Sequence, residues 1–111
     1  MKYNINITRE AFNDLDDIFI YISTVLQSPD TAKQIVDEIN VGLMSLSKFP
    51  ERYPTVEAEP WKSKNIRKMP IKNYMIFYYV EKSEALVEII RIFYARRNIK
   101  SIWIKIRPKL I

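Results

Sequence analysis

An α+β domain is what these 111 residues predict, in the order β-α-α-β-β-β: an N-terminal strand, an α-helical hairpin, then a three-stranded antiparallel meander. Three observations lead there. Two long segments in the first half repeat their apolar residues at helical spacing. Three segments in the second half are rich in β-branched and aromatic residues, the composition of strands. The connections between those three are too short for parallel crossovers, so the strands pair antiparallel. Helices first and strands afterwards imply a sheet packed on the hairpin.

Each element has its own signal. In "KYNINI" (2–7), Tyr3, Ile5 and Ile7 alternate on one side, which reads as a short strand. Thr8 can cap a helix, and Glu10 in the first turn complements its dipole. Ala11, Leu15, Ile18, Phe19, Ile22 and Leu26 then form one helical stripe, leaving Asn13, Asp14, Asp16 and Asp17 on an expected solvated face. "SPDTA" restarts the chain, with Ser28 as cap and Pro29 at the first helical position. Ala32, Ile35, Val36, Ile39, Leu43, Leu46 and Phe49 make the second stripe, and Pro50 and Pro54 end it. A loop over 50–64 carries Trp61, an indole expected at an interface. The strands are expected at 65–71, with Pro70 arguing for an edge or a bulge, at 73–81 and at 86–94. Strict alternation in the last puts Leu86, Glu88, Ile90, Ile92 and Tyr94 on one face and Val87, Ile89, Arg91 and Phe93 on the other. A sheet apolar on both faces calls for a partner segment on the face the helices leave bare. "IKSIWIKIRPKLI" (99–111) is a basic, apolar extension whose pattern fits a strand, a helix or an arm alike.

Composition removes whole classes of chemistry. No cysteine means no disulfide and no thiolate metal site, and no histidine removes the commonest metal ligand and neutral-pH titrator. No metal and no cofactor is therefore expected. The single glycine, Gly42, excludes glycine-rich phosphate loops. No apolar run is long enough to cross a membrane and no signal peptide opens the chain, so a cytoplasmic domain is expected. The net charge of +5 is uneven: four Lys/Arg against seven Asp/Glu in 1–50, fourteen against six in 51–111. Such asymmetry points to an acidic or nucleic-acid partner for the second half.

The runs "ITREAFNDLDDIFIYI", "SLSKFPERYP", "RKMPIKNYMIFYYV" and "VEIIRIFYARRN", in this order, resemble the RelE/ParE superfamily of toxins from bacterial type II toxin–antitoxin systems. The resemblance covers about residues 3–98, so one toxin domain is expected over 1–98. It implies growth arrest and neutralisation by a cognate antitoxin, an acidic, partly disordered protein that folds on binding. It also offers two mechanisms. RelE-like members cut ribosome-bound messenger RNA; ParE-like members inhibit DNA gyrase.

Cutting RNA requires a base for the 2′-OH, a cation for the phosphate and an acid for the leaving oxygen. Carried over by position, the RelE-type lysine pair falls near Ile66 and Lys68, the strand arginine on Met75, the last-strand arginine near Arg96 and the C-terminal tyrosine near Ile102. A thioether cannot neutralise a phosphate. The departures favour the ParE branch and a non-enzymatic inhibitor. The RNA-cleaving alternative would draw on Arg67, Lys68, Tyr94, Arg96 and Arg97. The expected target- or antitoxin-binding residues are Trp61, Arg91, Tyr94, Arg96 and Arg97.

Overall fold

The computed structural model describes residues 2–95. Strand β1 (Asn4–Ile7) leads into helix α1 (Arg9–Ile20), a π-helical turn (Tyr21–Val25) and helix α2 (Pro29–Ser45). After two single-turn 3₁₀ segments come β2 (Arg67–Ile71), β3 (Tyr74–Glu81) and β4 (Leu86–Tyr94). The sheet order is β1-β4-β3-β2. β1 lies parallel to β4, and β4-β3-β2 is the expected antiparallel meander, with Pro70 on its edge strand.

Local chemistry explains the boundaries. The Thr8 hydroxyl accepts the Ala11 N–H and starts α1. The expected helix from Thr8 to Leu26 is regular only to Ile20, because Ser23 and Thr24 donate their hydroxyls to the Phe19 and Ile20 carbonyls and widen the last turn. Pro29 opens α2 as expected, whereas the Ser28 hydroxyl donates to Thr31 and does not cap the backbone. α2 stops at Ser45, short of Phe49, which is 82 % exposed and so no part of the buried stripe. Gly42 lies where α2 meets the sheet: a methyl group there would collide with the Ile71 side chain.

Two cores sandwich the sheet. On the helix side, Ala11, Leu15, Ile39, Leu43 and Leu46 pack against Ile76, Tyr78, Val87, Ile89 and Ile92. The opposite face was expected to await a partner, but the chain covers it itself. The loop between α2 and β2 folds back and sets Val56, Trp61 and Ile66 against Phe77, Ile90 and Phe93. Trp61 is 1 % exposed, so the indole expected at an interface is the keystone of this second core. An indole loses more by remaining in water than any other side chain in the loop, and the apolar outer face lies within its reach.

The alternation expected for β4 also breaks. Phe77 pairs with Arg91 while its neighbour Tyr78 pairs with Ile89, so Ile90 is the extra residue of a β-bulge. Before the bulge Val87 and Ile89 face the helices; after it Ile92 does, and Ile90 and Phe93 join the outer core. One inserted residue exchanges the two faces for the rest of the strand.

Candidate interaction site

β1 is four residues long and pairs only with Leu86–Ile89, so β4 would show a bare edge beyond that point. The start of α1 covers it. Thr8 donates its hydroxyl to the Ile89 carbonyl (2.8 Å) and the Ile90 carbonyl (3.2 Å). One turn and a half further on, Asp14 accepts the Ile92 N–H (3.0 Å) and the Arg91 guanidinium through Nε (2.7 Å) and Nη2 (2.9 Å). Asp14, expected in solvent, is thus part of the sheet edge, because a carboxylate can satisfy a strand N–H and a guanidinium together.

Past Asp14 the hairpin and the sheet diverge and leave a groove of about 760 Å³. Ile18, Ile22, Leu26, Ile35 and Ile92 form its apolar walls; Asp17, Tyr21, Thr31, Asn73, Tyr74 and Tyr94 form its polar lining. Tyr74 and Tyr94 meet edge to face with ring centres 5.7 Å apart. Burial raises the Tyr74 phenol above its ordinary value, and the neighbouring Tyr94 and Tyr21 phenols add to the effect. At neutral pH this hydroxyl is therefore protonated and able to donate. Apolar walls with hydroxyl donors at the lip suit an amphipathic peptide segment.

The expected site residues that lie among the described residues do not converge. Tyr94 is at the groove mouth, 41 % exposed. Arg91 is committed to Asp14 and stacks over Phe93 at 4.5 Å. Arg67 donates to the Glu51 and Tyr53 carbonyls (3.1 and 2.6 Å) and pairs with Glu51 Oε2 (3.4 Å), which pins the loop to β2. Lys68 is paired with Phe77 and so shares the outer face, whereas Arg67 and Tyr94 pair with helix-side residues. Trp61 is buried and unavailable to a partner. Arg96, Arg97 and the extension 99–111 lie outside the described residues. Sequence reasoning missed Tyr21, Asn73 and Leu26 as parts of one recess, since Tyr21 and Leu26 end the first helix and Asn73 lies in the distant β2–β3 turn. Among the described residues no three carboxylates, histidines or cysteines gather where they could hold a metal ion.

A helical hairpin thus backs an open four-stranded sheet and leaves a peptide-sized groove at one end. Residues 5–99 match the family described as the ParE toxin of the type II toxin–antitoxin system parDE, and the chain belongs to that family. Solved structures agree on the fold. The chromosomal ParDE system of Pseudomonas aeruginosa superposes with a TM-score of 0.70 at 21 % identity, covering 86 % of this chain and 98 % of that one. The RelBE2 toxin–antitoxin complex of Mycobacterium tuberculosis gives 0.65 at 17 %, covering 85 % and 99 %. A mutant of the Escherichia coli toxin RelE in its free state gives 0.63 at 14 %, covering 95 % and 97 %. No curated protein matches the sequence.

Proposed function

We propose that this toxin arrests growth in the cytoplasm by inhibiting DNA gyrase through surface contact, without proton transfer, and that its antitoxin lays an amphipathic segment into the groove. The dispersal of Arg67, Lys68 and Tyr94, the candidate catalytic side chains among the described residues, supports the first half. In-line cleavage of RNA needs a base, a cation and an acid within hydrogen-bond reach of one phosphate. Arg67 and Tyr94 are four register steps apart along β3, about 13 Å at strand rise. Lys68 is on the opposite face, and Met75, at the position of the RelE-type arginine, packs on the outer core. The second half rests on the groove's chemistry and on neighbours of this fold that are toxin–antitoxin complexes.

One preparation should be assayed against gyrase supercoiling and against ribosome-bound message. Loss of supercoiling with intact message is expected, and Tyr94→Phe should leave that inhibition within about twofold, since only a rim hydroxyl is lost. Codon-phased cleavage of message with gyrase untouched would establish the RNA-cleaving alternative in its place. Tyr94→Phe would then cost on the order of 100-fold in rate, the scale of a general acid or base.

A further inference from the structure

Helix α2 has two apolar stripes, and the core uses one. Ile39, Leu43 and Leu46 are fully buried, whereas Val41 and Met44 stand 72 % and 58 % exposed. Asp37 precedes Val41 by four residues and Lys48 follows Met44 by four. The steps 4, 3 and 4 trace one seam along a helix, the spacing of paired helices in coiled coils. The helix proper ends at Ser45, and the bonds Leu46 N–H to Leu43 and Ser47 N–H to Met44 wind the chain on to Lys48.

Immediately beyond, Phe49 sits in the left-handed region (φ 48°, ψ 54°) with 82 % of its surface exposed. That conformation is strained for a non-glycine residue, because its Cβ crowds the following carbonyl oxygen. The turn is nevertheless tightly built. Arg52 Nη1 donates to the carbonyls of Ser45 (3.3 Å), Lys48 (2.8 Å) and Phe49 (3.2 Å), and the Tyr78 hydroxyl donates to that of Pro50 (2.6 Å). The fold therefore holds an aromatic ring out in water at a cost in strain. Strain of this kind persists where the surroundings over-determine it and marks functional positions.

We propose that this face is a homodimer interface whose occupant is α2 of a second copy, antiparallel about a two-fold axis midway between Val41 and Met44. The charges choose the occupant and its direction. In an antiparallel pair centred there, Val41 meets the partner's Met44, and Asp37 meets the partner's Lys48, each twice by symmetry. A parallel pair would set Asp37 on Asp37 and Lys48 on Lys48. Lys48 makes no ion pair among the described residues. Asp37 holds only an exposed i,i+4 pair with Lys33, worth little in water. Phe49 extends past the seam over the first half of the partner helix. The seam spans about 16 Å of helix, a contact below roughly 1,200 Å² and hence a weak, reversible dimer. It shares no residue with the groove, so antitoxin binding and self-association are separable.

Sedimentation velocity of the full chain at rising concentration tests this. The mean mass should climb from the 13.3 kDa of one chain toward twice that value. Lys48→Glu sets like charges against Asp37 at both symmetry-related pairs and should weaken the dimer about tenfold. Asp37→Lys combined with Lys48→Glu reverses the pairs and should restore it, a rescue that a general loss of stability would not show. The chain lacks cysteine, so Val41→Cys with Met44→Cys should cross-link copies on oxidation. A single 13.3 kDa species at all concentrations up to roughly 0.5 mM overturns the proposal. So does a dimer indifferent to Lys48→Glu, a failed rescue, or a monomer whose antitoxin binding is what Lys48→Glu removes.

Discussion

Asp14 shows how much one side chain can organise. It closes the β4 edge through the Ile92 N–H and holds Arg91 through two further bonds, with both side chains mostly shielded from water. Asp14→Asn keeps the shape and removes the charge, leaving Arg91 with an uncompensated cation. Urea unfolding should show a loss of about 1–3 kcal/mol, against less than about 0.5 for the same change at exposed Asp17. Tyr78 offers a second residue-level test. Burial raises its phenol to about 12, above the ordinary value near 10. The folded chain therefore holds this proton more tightly than the unfolded chain does. The corresponding stability is complete below about pH 10 and is lost as pH rises from about 10 toward 12. Tyr78→Phe should flatten that alkaline decline relative to the parent, measured by denaturant midpoints at several pH values. At neutral pH it should cost about 1–2 kcal/mol for the Pro50 carbonyl left without its donor.

The loop between α2 and β2 behaves as a structural element in its own right. Its backbone is tied to β2 by Val56 N–H to Ile66 (2.7 Å) and Lys68 N–H to Pro54 (3.1 Å), and Arg67 clamps it through Glu51 and Tyr53. Trp61, the largest fully buried side chain, then covers the outer face together with Val56 and Ile66. Trp61→Ala should cost about 3–5 kcal/mol in thermal or urea unfolding, a large share of the 5–15 kcal/mol typical of a domain. Under conditions where the variant still folds, its antitoxin affinity should be unchanged, because the indole is inside and the groove lies on the other side of the sheet. A selective loss of antitoxin binding at full stability would return Trp61 to the interface role that its loop position suggested.

At the scale of the whole molecule, three exposed large side chains line the groove: Tyr21 and Leu26 on the hairpin and Tyr94 on the sheet. A groove so lined on a small protein marks a binding surface. Leu26→Asp and Tyr21→Asp place a charge on wall positions that are already half exposed, so folding should survive within about 1 kcal/mol. Antitoxin affinity, read by calorimetry, should fall by tenfold or more for each, as expected when a buried apolar anchor is replaced by an unpaired carboxylate. Expression of Leu26→Asp together with antitoxin should then arrest growth where the parent toxin is neutralised. Full neutralisation at unchanged affinity would move the antitoxin elsewhere on the surface.

Periodicity and punctuation are local, and they were enough for the element order, the Thr8 cap, Pro29 at the start of α2, the edge position of Pro70 and the 86–94 bounds of β4. The family was legible too, because the order of its segments survives in the chain. Three features were decided only by tertiary structure. The bulge at Ile90 is a register choice between two strands, and no pattern within one strand records which residue its neighbour will skip. Trp61 reads as an interface residue from its proline-rich loop, but the bare outer face of the sheet was nearer than any partner and took it. Arg67 read as a candidate catalytic residue, Arg91 as a partner-binding one and Asp14 as a solvated charge, yet each found its counterpart more than ten residues away. Hydrophobic spacing dictates which face of an element is buried. Which charges remain free to meet another molecule depends on distances that exist only once the elements have packed.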